Sequence, residues 1–172
     1  GDALTVGHTN TALGYLALSA DTKGNQSVAI GGGALQTQNF TTATTTYNTA
    51  VGINAGAAIT TGVQNTLVGY TAGDGLTSGS KNICIGYNVD SSSATDEHVI
   101  IIGHGISGSG NDFSFGKASN VVTNDFNTDA NWSRSSDERL KKNITDQTLG
   151  LSFINDLRTV KYNWKASHEL YS

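Results

Sequence analysis

The chain has 172 residues, a formal charge of −4, one Cys, no Pro, no Met and only 14% charged residues. No basic stripe is available to displace counterions, which argues against a nucleic-acid partner. A lone Cys84 excludes an intrachain disulfide framework, and no apolar run approaches the roughly 18 residues of a membrane span. The composition also departs from that of an ordinary globule. It holds 21 Gly, 22 Thr and 16 Asn, where an average domain has about 7% Gly and about 25% charged residues. Uncharged polar residues with evenly spread small apolar ones suit a repetitive β architecture. With no initiator Met, the sequence reads as a fragment or a processed product.

Residues 1–106 repeat. An aliphatic residue followed by Gly recurs at Leu13-Gly14, Ile30-Gly31, Val51-Gly52, Val68-Gly69, Ile85-Gly86 and Ile102-Gly103, with the glycines 17, 21, 17, 17 and 17 residues apart. Two residues before each Gly stand Ala12, Ala29, Ala50, Leu67, Cys84 and Ile101. Three after it stand Ala17, Ala34, Ala55, Ala72, Val89 and Ile106. Asn10, Asn48, Asn65 and Asn82 lie four before the Gly, with Ser27 and Val99 as departures. Each unit reads as a short strand, a Gly kink, a second short segment and a polar turn. No unit of this size buries its own apolar face, so successive coils must stack. The small residues at Ala17, Ala34, Ala55 and Ala72 suggest a crowded axis shared by several chains. The four extra residues of the second interval fit an outer loop at 38–46.

Cys84 sits in an apolar column and reads as core. Tyr15, Tyr70 and Tyr87 each follow a repeat Gly and would form a column on one face. That column serves either as a receptor-facing platform for glycan stacking or as packing between coils. His8, His98 and His104 lack the spacing of a metal set. Three copies of one His meeting at a trimer axis is the remaining metal possibility, with His104 the candidate. The Thr run 41–46 occurs once and reads as a solvated loop. No cofactor is expected.

Residues 107–135 form a connector. Its Gly/Ser-rich start breaks the period, Asn111–Gly116 alternates as a strand with Phe113 and Phe115 on one face, and Val121, Val122, Phe126 and Trp132 follow. The larger aromatics suggest a small β collar with a thicker core.

From 136 onward the charge density rises. Asp137-Glu138-Arg139-Leu140-Lys141-Lys142 places acids before bases, as suits a short helical turn and its dipole. Leu149, Phe153, Ile154 and Leu157 share one helical face, and Val160–Trp164 alternates as a strand. Turn, helix and strand then end without a covering layer, so 136–172 reads as the incomplete beginning of a domain. On residues alone, Ser136 is a helix N-cap and Lys141 a solvated charge.

Two resemblances extend this reading. Asn48-Thr49-Ala50-Val51-Gly52 and Ser27-Val28-Ala29-Ile30-Gly31 resemble the head repeats of trimeric autotransporter adhesins and repeats of phage tail fibres, which form parallel β-rolls in homotrimers. Ser136-Asp137-Glu138-Arg139-Leu140-Lys141 with Ile144, the Leu151-Phe153-Ile154-Leu157 helix and Tyr162-Asn163-Trp164 resemble the start of the viral intramolecular chaperone domain, the S74 peptidase family. That resemblance implies a domain that assembles a trimer and then cuts itself off. Ser136 would be the nucleophile, Lys141 the base and Ser136–Asp137 the bond cut, with no turnover activity. A Ser hydroxyl is a weak nucleophile and a Lys is protonated at neutral pH. Lys141 would therefore need desolvation or crowding, which Arg139 and Lys142 supply.

The expected fold is mainly β: a homotrimeric β-roll or β-helical shaft over 1–106, a β collar over 107–135, and the α+β start of a chaperone domain over 136–172. The expected function is that of a viral tail fibre or tailspike, assembled in the host cytoplasm and carried on the virion. Its partners would be its own copies, other virion tail proteins and a host receptor, with glycan the candidate chemistry. A trimeric adhesin head is the first alternative. A polysaccharide-degrading tailspike using Asp21, Asp74, Asp90, Asp96 or Glu97 is the second.

Overall fold

A computed structural model describes residues 1–128, which belong to the first of two units, Gly1–Trp132. Ser136, Asp137, Lys141, Trp132, the helix expected at 148–157 and the strand at 160–164 lie outside the described residues. The described elements are all strands: β1 (Thr11–Leu13), β2 (Gly24–Asn25), β3 (Val28–Ile30), β4 (Thr44–Thr45), β5 (Thr49–Val51), β6 (Thr66–Val68), β7 (Ile83–Tyr87), β8 (Asp90–Ser91), β9 (Ile100–His104), β10 (Ser107–Gly108), β11 (Asp112–Lys117) and β12 (Asn120–Asp125). They form a solenoid. The principal sheet has eight strands in the order β1-β3-β5-β6-β7-β9-β11-β12.

The repeat sets the register. Thr11 pairs with Val28, Val28 with Thr49, Thr49 with Thr66, Thr66 with Ile83 and Ile83 with Ile100, all in parallel. One further coil, of 13 residues, pairs Phe113 with Ile100 and Gly116 with Gly103. The antiparallel hairpin β11–β12 follows it. Of the residues expected in a collar, β11 and β12 thus continue the shaft's principal sheet, and β10 pairs with β8 of the preceding coil. Ser114 is the buried residue of β11, while Phe113 is half-buried and Phe115 exposed. The large aromatics therefore do not thicken the interior; a serine takes the inward position instead.

The core is narrow and lies inside a single chain. One wall is Ala29, Ala50, Leu67, Cys84 and Ile101; the other is Ala17, Ala34, Ala55, Ala72, Val89 and Ile106, all 0–3% exposed. The alanine column therefore does not line an axis between chains, as its small size had suggested. Its alanines pack inside one coil, where Val89 and Ile106 take the same position in the last two repeats. The interior compensates its own volume from coil to coil. Leu18 and Leu35 fill the position four after the repeat Gly in the first two coils. Gly56 and Gly73 stand there in the next two, where an added Cβ would run into Leu67 and its neighbours. The freed volume is taken by Leu67, Ile59 and Leu76.

Two ladders lock coil to coil. The Asn carbonyl oxygens accept from backbone N–H groups one coil on: Asn10 from Ser27, Asn48 from Asn65, Asn65 from Asn82 and Asn82 from Val99, at 2.8–3.0 Å. Their amides donate to the backbone oxygens of Gly24, Gly62, Gly79 and Asp96 at 2.8–3.0 Å. A buried backbone group left unpaired costs about 1–3 kcal/mol, so each Asn satisfies two such groups that an apolar residue would orphan. The second ladder is the glycine column. Gly69 has φ +133°, and a Cβ there would sit on the Gly86 carbonyl oxygen. Gly86 has φ +137° and meets Gly103 in the same way.

The chain corners through left-handed backbone at Thr9, Gln26, Tyr47, Gln64, Lys81, His98 and Asn111, with φ between 52° and 67°. For non-glycine residues such a conformation costs about 1–2 kcal/mol. Gln64→Gly should therefore raise stability by about 1 kcal/mol, less the entropy that glycine adds to the unfolded chain. Gly69→Ala should lower it by roughly 3 kcal/mol or more, since backbone must move. Thermal unfolding followed by circular dichroism checks both signs; equal effects would contradict the close-approach argument.

Candidate functional site

The outward column that follows each repeat Gly gathers the aromatic candidates. Tyr70 and Tyr87 stack with ring centroids 5.3 Å apart and planes 14° from parallel. Tyr87 and His104 stack at 4.9 Å and 13°. Strand spacing alone sets this distance, because successive coils present the same position about 4.8 Å apart. Both faces of the Tyr87 ring are thus covered by neighbouring rings, and packing between coils is the role this geometry gives it. The stack offers solvent its edges and hydroxyls, with Tyr70 47% and Tyr87 52% exposed. Tyr15 stands apart. Gly32 and Ile53 occupy the column between it and Tyr70, so its ring, 82% exposed, keeps an open face. It borders a cavity of about 340 Å³ lined also by Gly1, Asp2, Gly14, Leu16 and Ala17. His104 had been the metal candidate; the structure makes it the third ring of the stack.

The acidic residues fall into two settings. Asp21 is fully buried. Its Oδ1 accepts from the backbone N–H of Gly24 at 2.9 Å, of Lys23 at 3.3 Å and of Phe40 at 3.4 Å, and its Oδ2 from Gln38 Nε2 at 2.7 Å. Gln38 Nε2 also reaches Ser27 Oγ at 3.0 Å, and Gln38 Oε1 accepts from Asn48 Nδ2 at 2.8 Å. Ser27 Oγ and Thr46 Oγ1 lie 2.6 Å apart. This buried polar cluster sits where the repeat lengthens by four residues. It fastens both ends of the 38–46 segment, whose tip at Thr41, Thr42 and Ala43 is exposed. Nothing in the spacing announces it, although the two departures it exploits, Ser27 and the longer interval, are visible in the sequence.

Asp74 and Asp90 form the second setting, on the outside of adjacent coils. Asp90 Oδ2 accepts from the Gly75 N–H at 2.9 Å and its Oδ1 from the Ser91 N–H at 2.8 Å. Partial burial pushes the Asp90 carboxyl up to about 6, and the negative charge of Asp74 adds to the rise. Asp74 is raised too, again by burial. Both Asp90 oxygens are engaged in holding turns, so its first role is structural. Cys84 is wholly enclosed, and burial pushes its thiol up to about 12, which leaves no thiolate for nucleophilic chemistry.

The proposed junction itself lies beyond the described residues, so the structure does not test Ser136, Asp137 or Lys141. The comparison with protein families does reach that segment. Residues 136–170 match the Peptidase_S74 family model, described as the chaperone of endosialidase. The match begins at Ser136, the residue at which the sequence changes character. No curated protein and no solved structure matches the chain.

A raised carboxyl favours the folded state while it is protonated. The Asp90 contribution is therefore greatest below its ordinary value near 3.8, and it is lost as pH rises through about 6. Asp90→Asn carries no titrating proton. The stability of the wild type relative to this variant should grow as pH falls from neutral towards 5. A constant difference across that window, measured by thermal unfolding, would contradict the assignment.

Proposed function

We propose that this chain is a distal part of a viral tail fibre or tailspike. Its solenoid is a structural shaft assembled as a homotrimer and presented to a host receptor. The segment that begins at Ser136 drives that assembly and then cuts the Ser136–Asp137 bond. The observation that carries this reading is the order of the two parts. A regular β-solenoid is followed directly by a segment that matches the chaperone family over 136–170. A stack of short coils offers little to dictate how several chains align with one another, because every coil resembles the next. A C-terminal domain that brings chains together in register answers that need, and becomes dispensable once the coils are packed.

In this reading Lys141, held neutral by its cationic neighbours, takes the proton of the Ser136 hydroxyl as the hydroxyl oxygen bonds to the carbonyl carbon of the Ser136–Asp137 peptide. The C–N bond breaks, the Lys141 ammonium returns the proton to the departing Asp137 amine, and water hydrolyses the ester to leave a free Ser136 hydroxyl and carboxylate. Receptor contact falls to the exposed side chains of the shaft, with Tyr15 the ring whose face is open to a sugar. The other virion tail proteins bind elsewhere on the assembly, which forms in the host cytoplasm and is carried on the particle. A glycan-cleaving role is disfavoured by the engagement of Asp90 and Asp21 in structural hydrogen bonds.

The self-cleavage is tested on the full-length precursor. Ser136→Ala and Lys141→Ala should each leave it uncut on a denaturing gel, while the wild type splits into two bands. Splitting of both variants at the same point would refute the dyad.

A further inference from the structure

We infer that the chains of the assembly meet through the outward face of the principal sheet, with two further copies of this chain as its occupants. This deepens the trimeric reading above and rests on it. The strand position before each repeat Gly points outward and is aliphatic in every coil. Leu13 is 66% exposed, Ile85 37% and Ile102 43%, with Ile30, Val51 and Val68 half-buried between them. The inward position next to it holds Ala29, Ala50, Leu67, Cys84 and Ile101. In the second, third and fifth coils the larger side chain of the pair is thus the outward one: Ile30 beside Ala29, Val51 beside Ala50 and Ile85 beside Cys84. The flanking columns of the same face are Thr11, Val28, Thr49, Thr66, Ile83 and Ile100 on one side. On the other, Ile53, Tyr70, Tyr87 and His104 border it, while Tyr15, in the first coil at the end of that column and 82% exposed, stays outside the contact. Across these three columns over six coils stands no Asp, Glu, Lys or Arg.

Its extent says what covers it. Six coils at about 4.8 Å and three columns about 6.6 Å apart, with side-chain margins, give a footprint of roughly 500 Å². That is near the upper end of what a soluble monomer leaves exposed, and it approaches the about 800 Å² per partner of a stable interface. The rows repeat at the strand spacing along the whole shaft. A second copy has rows of the same spacing, so its aliphatics fall between these for the full length; a globular partner has no such period. The other faces of the coil do not compete. They carry Thr60, Thr61, Thr77, Ser92 and Ser93, and the charges of Asp74, Asp90 and Lys81.

The test uses the full-length protein in sedimentation equilibrium. The wild type should sediment as a trimer. Val68→Lys with Ile85→Lys should weaken assembly by roughly a hundredfold or more, as an unpaired charge at a dry contact does. Thr60→Lys, on another face, should leave the trimer intact. A trimeric double variant would overturn the assignment of this face and leave the trimeric reading standing. A monomeric wild type would overturn both. Because a shaft with two buried lysines can fail to fold, cysteine cross-linking supplies a second arm. Val68→Cys should give an oxidised dimer band on a denaturing gel and Thr60→Cys should not; the opposite pattern would also overturn the assignment.

Discussion

The constraint on which this structure depends is the distance between one coil and the next at the glycine column. Backbone meets backbone there so closely that a single Cβ at Gly69 or Gly86 would collide with the next carbonyl. Everything else is set by that approach. It fixes the coil spacing at the sheet's own, and so brings both ends of each Asn amide within reach of the following coil. In the third and fourth coils Leu67 is enclosed where Gly56 and Gly73 leave room for it. The Asn ladder and the glycine column therefore act together: one holds the coils at the separation that the other permits.

Much of this was legible in the residues. A period of 17 with one interval of 21 gave the first six strands of the principal sheet and their register, and the Asn and Gly columns marked the positions where coil meets coil. The column of Cys84 was readable as core, and Cys84 is buried; what the period could not tell is that the alanines three after the Gly face the same interior. Ala29 and Ile30 are neighbours on one strand and point to opposite faces, and hydrophobicity alone would put the isoleucine inside. The narrowness of the coil decides otherwise, and it is a property of the stacked backbone rather than of any single unit. The left-handed corners at Gln64, Lys81 and His98 were illegible for a related reason. Gln and Lys do not favour that conformation, and the coil imposes it on them as it does on His98. The last coil was missed because it is shorter by four residues and carries Phe113 and Phe115 outside a buried Ser114.

The candidate site divides in the same way. The Tyr column was visible, but not that its rings would lie face to face and so be closed to a stacking ligand at Tyr87. The buried Asp21–Gln38 cluster showed only indirectly, as Ser27 in the Asn column and the longer interval, because its members belong to no motif. The junction at Ser136 was the reverse case: a short, dense motif that needed no geometry to be noticed, and at which the family match begins.

The measurement that tests this account most directly is the intact mass, under denaturing conditions, of the protein matured from its full-length precursor. The account predicts a shaft chain whose last residue is Ser136, together with a separate chain that starts at Asp137. A single chain continuous through Asp137, with no species ending at Ser136, would contradict it.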